Sequence, residues 1–227
     1  MSATNSPEGA RAYRSELRNA MAQETRRRIW TAGSQLFTEL GYVATTIEAI
    51  ADRAGVSRRT VFNAFESKAR LLMEIFLAQV RGDDEPEPRQ LRQRITTVQE
   101  IDDPREMIAF VAEAAADVAT RTGEVWTVAQ EAARVDPEVA AVLQANEEDR
   151  YRSSVLIDIL AEKGMLRTDL PRELLRRGMW LLSGPTTAFT AINAGLTPDL
   201  YRIWLTECLA GLLLPPPATD SRGRLEG

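Results

Sequence analysis

Two helix starts and one glycine stop lie within the short stretch from Thr45 to Phe65, and this spacing restricts the fold more than any other feature of the chain. Thr45 and Glu48 fit a capping box, in which the threonine caps a helix and the glutamate reaches back to it. Gly55 ends that helix, because glycine adopts the left-handed conformation of a helix end without strain. Ser57 can cap a following helix that runs to Phe65. The pattern predicts a helix-turn-helix.

Helical signals continue on both sides of this hairpin. Apolar residues at helical spacing predict a first helix from about Glu24 to Leu40, which Gly41 stops. A fourth helix is predicted from a cap at Ser67 to about Val80. Strand signals are nearly absent, with no Asn-Gly or Asp-Gly turn between apolar segments. We therefore expect an all-α fold with an N-terminal three-helix helix-turn-helix domain.

Prolines mark the helix starts in the rest of the chain. Pro104, Pro137 and Pro198 each follow a residue whose side chain can cap a helix, and Pro171 follows Leu170 without such a cap. These positions predict four long helices, with shorter ones near Gln90–Val98 and Val125–Val135. The proline-bearing stretch 82–90 is too polar and irregular for a helix interior and predicts a linker.

These signals predict four segments. Residues 1–22 form a flexible arm, residues 23–81 the helix-turn-helix domain with its connecting helix, residues 82–214 a larger helical domain, and residues 215–227 a disordered tail.

Charge is distributed unevenly between these segments. The chain carries a net charge of −5, yet residues 11–81 hold twelve Lys and Arg against seven Asp and Glu, and residues 82–227 hold 16 against 25. A basic N-terminal part joined to an acidic remainder is typical of a nucleic-acid contact surface. Ordinary solvated helix faces are the alternative explanation.

The second helix of the hairpin has a polar, basic outer face. On a helical wheel Val61 and Phe65 face inward, which turns Arg59 and Asn63 outward. Arginine can bind guanine and asparagine can bind adenine in bidentate fashion, and side chains at helix starts can bind phosphates. A hairpin that only packs remains the alternative. The candidate DNA contacts are Thr46, Ser57, Arg58, Arg59, Thr60, Phe62, Asn63 and Lys68.

The segment Thr25 to Leu72 resembles the DNA-binding domain of the tetracycline-repressor (TetR) family of bacterial transcription regulators. Two positions depart from the family pattern: Phe62 stands where tyrosine is usual and Ala64 where histidine is frequent, and each loses a possible hydrogen bond to phosphate. The positions that carry the resemblance are Phe37, Gly41, Thr46-Ile47, Ala51 to Gly55, Val56-Ser57, Thr60, Phe65, Lys68 and Leu71-Leu72.

The resemblance implies a regulator, with repression expected, that a small-molecule effector releases from operator DNA. A constitutive DNA-binding regulator without an effector is the alternative. The resemblance also implies a homodimer joined through the last two long helices, about Pro171 to Gly195 and Pro198 to Leu213. Apolar residues such as Leu174, Ile203 and Trp204 would be covered by a partner, unless they belong to the core of one chain.

The resemblance places the effector site among the middle helices. Ligand pockets are mostly apolar with a few polar anchors, although an ordinary helical core has the same composition. Arg134 would favour an anionic ligand if it faced inward. The candidate ligand-binding residues are Met107, Phe110, Val111, Trp126, Gln130, Arg134, Tyr151 and Val155.

Composition argues against several other functions. An enzyme built on a helical bundle is the competing class, but the chain has no histidine and one cysteine, Cys208, so no nucleophile–base pair and no di-iron motif can be drawn. We predict no catalytic residue, no metal site and no cofactor. No apolar stretch reaches the roughly 20 residues that span a bilayer. With no signal-peptide pattern either, we expect a cytoplasmic protein without a membrane partner.

Overall fold

The computed structural model describes residues 7–82 and 96–216, and every regular element in these ranges is a helix. The all-α prediction, with an N-terminal helix-turn-helix and a larger helical C-terminal part, is confirmed. Residues 96–100 are helical, while most of the helix predicted near Gln90–Val98 lies outside the described ranges, as do most of the linker and the tail. The longer helices are α1 (Pro7–Ala44), α2 (Ile47–Ala54), α3 (Arg58–Phe65), α4 (Lys68–Arg81), α5 (Pro104–Ala132), α6 (Pro137–Arg152), α7 (Leu156–Glu162), α8 (Arg172–Leu182), α9 (Pro185–Asn193) and α10 (Pro198–Leu213).

Helix α1 begins at Pro7, well before the predicted start at Glu24. The residues before Glu24 lack a regular apolar stripe, but they are rich in Ala, Arg, Glu and Met, which favour helix intrinsically. Most of the segment predicted as an arm is thus helical. Gly41 leaves helical geometry with φ 75° and ψ 174°, as its predicted role as a helix stop requires.

The predicted capping box at the start of α2 was wrong by one residue. The cap is Thr46, whose hydroxyl accepts a hydrogen bond from the Ala49 amide at 3.1 Å. Thr45 is fully buried and donates to the Leu36 and Gly41 carbonyls. Adjacent threonines are equivalent in a sequence pattern, and burial of the first one assigns the cap to the second.

The other local signals of the hairpin are confirmed. Ser57 accepts from the Thr60 amide at 3.1 Å and caps α3, and Ser67 accepts from the Arg70 amide at 3.0 Å and caps α4. Gly55 has φ 64° and ends α2 in the left-handed conformation. Each serine cap thus bonds to an amide three residues later in its helix.

Two predicted helices of the C-terminal part differ in the structure. The separate helix over Val125–Val135 does not form, because α5 runs without interruption through Gly123 to Ala132. The helix predicted from Pro171 to Gly195 is divided into α8 and α9. Pro185 opens α9 and lacks an amide proton, and Gly184 before it is extended with φ −78° and ψ 153°, as the residue before a proline prefers.

The chain divides into two compact units. Unit 1 contains Met1–Phe76 and Glu124–Leu143, and unit 2 contains Leu77–Gly123 and Gln144–Gly227. Unit 1 therefore includes the end of α5 and the first part of α6 together with the helix-turn-helix. The predicted domain boundaries at residues 22, 81 and 214 remain predictions.

Each unit has its own apolar core. Fully buried Ile29, Phe37, Ile50, Phe65 and Phe76 lie in unit 1, and burial of each such side chain contributes roughly 1.5–3 kcal/mol. The core of unit 2 includes Met107, Ile108, Leu160, Leu175, Tyr201, Leu205 and Leu213.

Candidate nucleic-acid interface

The turn between α2 and α3 is fixed to α1 by an arginine. The Arg28 guanidinium donates to the Ala54 carbonyl and, at 3.3 Å, to the Gly55 carbonyl. A Cβ atom at position 55 would lie 2.6 Å from this guanidinium, and φ there is positive. Any side chain at Gly55 would therefore strain the backbone and displace Arg28.

A second arginine of α1 holds the end of α3. The Arg26 guanidinium donates to the Ala64 carbonyl and to Glu74, and it stacks over the Phe65 ring at 4.0 Å from the centroid. Positive charge at a helix C-terminus is favourable because the last carbonyls carry partial negative charge. Arg26 and Arg28 are therefore bound within unit 1, although the sequence counts them among the basic residues of a DNA surface.

The outer face of α3 presents the two side chains that the helical wheel placed there. Val61 and Phe65 are buried, whereas Arg59 and Asn63 are exposed. Within residues 7–82 and 96–216, neither the Arg59 side chain nor the Asn63 side chain has a hydrogen-bond or ion-pair partner. Ser57 and Thr60 lie beside them, with their hydroxyl oxygens 2.8 Å apart.

Arg58 is held differently from Arg59. Its guanidinium pairs with Glu48 at 2.7 Å and lies 5.5 Å from the centroid of the Phe62 ring, which is 39% exposed. Any contact of Arg58 with DNA would compete with this carboxylate. Sequence spacing did not reveal the pair, because Glu48 and Arg58 lie on different helices.

Lys68 turns toward the protein. Its ammonium donates to the Tyr42 carbonyl at 2.8 Å and to the Thr45 carbonyl at 2.9 Å, and it lies 4.1 Å from the centroid of the Tyr42 ring. Burial lowers the pKa of Lys68. Two of the three ammonium protons therefore bond to carbonyls of the protein. The predicted contact of Lys68 with phosphate remains a prediction. Thr46 is exposed beside this site.

The eight predicted ligand residues are divided between the two units. Trp126, Gln130 and Arg134 belong to unit 1 and the other five to unit 2. Trp126 packs against the Phe76 ring at 5.5 Å, whereas Gln130 and Arg134 are exposed, so Arg134 does not face inward as an anion site would require. In unit 2, Met107 is buried, and half-buried Phe110, Val111 and Val155 pack against the same core.

Tyr151 lines an open groove of about 500 Å³ within unit 2. Its hydroxyl donates to Glu173 at 2.8 Å, which raises the pKa of Tyr151 and lowers that of Glu173. The Trp180 ring meets the Tyr151 ring edge to face at 6.2 Å. The other lining residues, which the sequence did not suggest, are Gln144, Glu147, Glu148, Arg152, Arg177 and Leu181.

Two negative observations apply to the described residues. Among residues 7–82 and 96–216, no group of three or more His, Cys, Asp or Glu side chains could hold a metal ion. In the same ranges no helix is both long enough and apolar enough to span a membrane.

Comparison with known proteins finds a family model that matches the N-terminal helices. Residues 29–75 match the model for bacterial regulatory proteins of the tetR family. This segment contains the end of α1, the whole helix-turn-helix and the first half of α4. No curated protein matches the chain.

Solved structures share the fold over most of the chain. NalD, the secondary repressor of the MexAB-OprM multidrug efflux pump in Pseudomonas aeruginosa, is 23% identical with a TM-score of 0.65, covering 86% of this chain and 98% of NalD. A choline-bound regulator structure from Saccharomonospora viridis is 19% identical with a TM-score of 0.65, covering 86% and 100%. FadR from Bacillus subtilis, in complex with stearoyl-CoA, is 16% identical with a TM-score of 0.60, covering 81% and 96%. At these identities the likeness establishes the fold alone.

Proposed function

We propose that this chain, a member of the tetR family of bacterial regulatory proteins by its residues 29–75, represses transcription at an operator and is released by a small-molecule effector. The observation that carries the DNA-binding part is the outer face of α3. It presents Arg59 and Asn63 without partners among the described residues, on a helix that is capped by Ser57 and tied to α1 through Arg26.

Operator recognition follows from the chemistry of this face. With α3 in the major groove, Arg59 can donate two hydrogen bonds to O6 and N7 of guanine, and Asn63 can pair with N6 and N7 of adenine. Thr46, Ser57 and Thr60 carry hydroxyls that can bind phosphates and fix the register. Phe62 has an exposed ring that can pack on a thymine methyl group. Arg58 joins these contacts when phosphate or base replaces Glu48.

The proposed homodimer rests on apolar side chains that one chain leaves exposed. Leu174 and Leu181 lie seven residues apart and so on one stripe of α8. Leu200, Ile203 and Trp204 form a stripe on α10, and all five are exposed. Met179, Leu209 and Leu213 on the same two helices are core residues. A two-fold partner that packs its own α8 and α10 against these stripes would cover them.

The effector part of the proposal is supported by the half-buried residues Phe110, Val111 and Val155, which pack against the core of unit 2, because small-molecule sites are lined mostly by apolar side chains. Structural neighbours bound to choline and to stearoyl-CoA show that this fold accommodates small molecules in those proteins.

The experiment is selection of genomic DNA fragments by the purified protein, followed by titration of a candidate effector with and without the selected fragment. The proposal expects a discrete bound sequence, and it expects the fragment to weaken effector binding by the same factor as effector weakens DNA binding, about 5–150-fold. No sequence preference would refute operator recognition. Equal effector affinity in both titrations, or no stabilising ligand in a thermal-shift screen, would favour the constitutive regulator.

A further inference from the structure

Unit 1 contains a turn that lies far along the chain from the family-matched segment. Residues 133–136 join α5 to α6, and Asp136 with Glu138 in the first turn of α6 lies outside residues 29–75 and outside the predicted domain 23–81. The Tyr42 hydroxyl donates to Asp136 Oδ2. The other carboxylate oxygen, Oδ1, accepts from the Glu138 amide at 3.0 Å and so caps α6. Asp136 therefore bonds both to Tyr42, near the end of α1, and to the first turn of α6.

Glu138 makes a second contact with the same region. Its Oε2 accepts from the Ser67 hydroxyl at 3.0 Å, and its Oε1 lies 3.5 Å from Arg70 Nε. Ser67 caps α4 and lies directly after α3. The Glu138 carboxylate therefore bonds to the segment that follows α3.

Tyr42 connects these contacts to the segment that leads into α2. Its ring is 6% exposed and stacks on Phe37 at 6.0 Å. Its carbonyl accepts from Lys68, which also bonds to Thr45, the residue before the α2 cap. Asp136 and Glu138 thus bond to Tyr42, which lies near the end of α1 and precedes α2, and to Ser67, which follows the end of α3.

We propose that Asp136 and Glu138 are positioning residues for operator recognition, which fix the orientation of α2 and α3 through Tyr42 and Ser67. This inference rests on the proposed operator binding. A helix-turn-helix already held in its binding geometry loses less conformational freedom on the operator. Binding to random DNA depends mainly on phosphate charge and does not require that geometry.

The test uses Tyr42→Phe, which removes one hydroxyl and changes no charge, in the full-length protein. We expect its operator affinity to fall on the order of tenfold, the usual effect of losing one hydrogen bond to a charged group, with random-DNA affinity unchanged. Asp136→Ala removes this contact and also the α6 cap, so it should lower the ratio of operator to random-DNA affinity at least as much. The double variant should lose no more than Asp136→Ala alone, because the Tyr42 hydroxyl acts through Asp136.

Thr38→Val is the matched control, since it removes an α1 hydroxyl that bonds only to the Ser34 carbonyl among the described residues. An unchanged affinity ratio in Tyr42→Phe, even with a lowered melting temperature, would overturn the positioning role and leave a merely stabilising contact. Full additivity of Tyr42→Phe and Asp136→Ala would also overturn it. If the unmodified protein shows no operator preference, it is the proposed function that fails.

Discussion

Lys68→Met distinguishes a lysine that stabilises the helix-turn-helix from one that contacts phosphate. Methionine keeps an unbranched apolar stem and removes the charge and its three donors. In the structure the ammonium bonds to the Tyr42 and Thr45 carbonyls at 2.8 and 2.9 Å and lies over the Tyr42 ring. We therefore expect the variant to lose stability in preference to DNA affinity.

The magnitude follows from these contacts. A hydrogen bond from a charged donor contributes about 1.5–3 kcal/mol when buried, and a partly exposed cation–π contact about 0.5–1 kcal/mol. Lys68 is half-buried, so water replaces part of what is lost. We expect a decrease of about 2–3 kcal/mol in the free energy of unfolding, which corresponds to a melting temperature lower by about 5–10 °C for a chain of this size.

The assay combines thermal unfolding followed by circular dichroism with anisotropy titrations of operator and random duplexes well below the melting temperature. Lys163→Met is the matched control, because Lys163 also bonds to a carbonyl, that of Ile101 at 2.9 Å, but in unit 2. An unchanged melting temperature, with equal loss of affinity for both duplexes and a salt slope shallower by about one, would refute the reasoning and show a phosphate contact.

Four further outcomes are expected. Arg59→Ala and Asn63→Ala should each cost about 1–3 kcal/mol on the operator and little on random DNA; equal losses in anisotropy titrations would mean that these side chains contact only phosphate. Thr46→Ala should lower the free energy of unfolding in urea by about 1 kcal/mol through loss of the α2 cap. An unchanged free energy of unfolding would mean that another residue caps α2. Ile203→Asp should convert the proposed dimer to monomer in sedimentation, because it buries an unpaired charge in the proposed interface. A variant that stays dimeric would place the interface elsewhere. Deleting residues 1–20 should flatten the salt dependence of DNA binding by about one unit per lost phosphate contact, and an unchanged slope would exclude an arm on DNA.

The helix-turn-helix was predictable because its signals are local. A serine cap and the amide that it accepts from lie three residues apart, so Ser57, Ser67 and Gly55 could be assigned from the sequence. The choice between Thr45 and Thr46 could not, because it depends on which threonine is buried. The break at Gly184 was missed although Pro185 marks it, since the apolar pattern continues across it.

The candidate site was less predictable wherever contacts join distant residues. The outward direction of Arg59 and Asn63 could be predicted from helical periodicity alone, because the apolar residues Val61 and Phe65 mark the buried face of α3. The inward turn of Lys68 depends instead on carbonyls at the end of α1, more than 20 residues earlier in the chain. Arg134 could not be oriented, because it lies in the turn after α5, beyond the part of the chain whose direction helical periodicity predicts.

The internal binding of Arg26 and Arg28, and the pairing of Arg58 with Glu48, bear on how the protein would search a genome. Each guanidinium that the protein already holds is one fewer side chain free to contact phosphate directly, and a chain of net charge −5 adds little general attraction. The protein should therefore dissociate quickly from DNA of unrelated sequence. With about 10⁶–10⁹ competing sites in a genome, brief residence keeps more molecules free, so that a small number of copies per cell can occupy an operator.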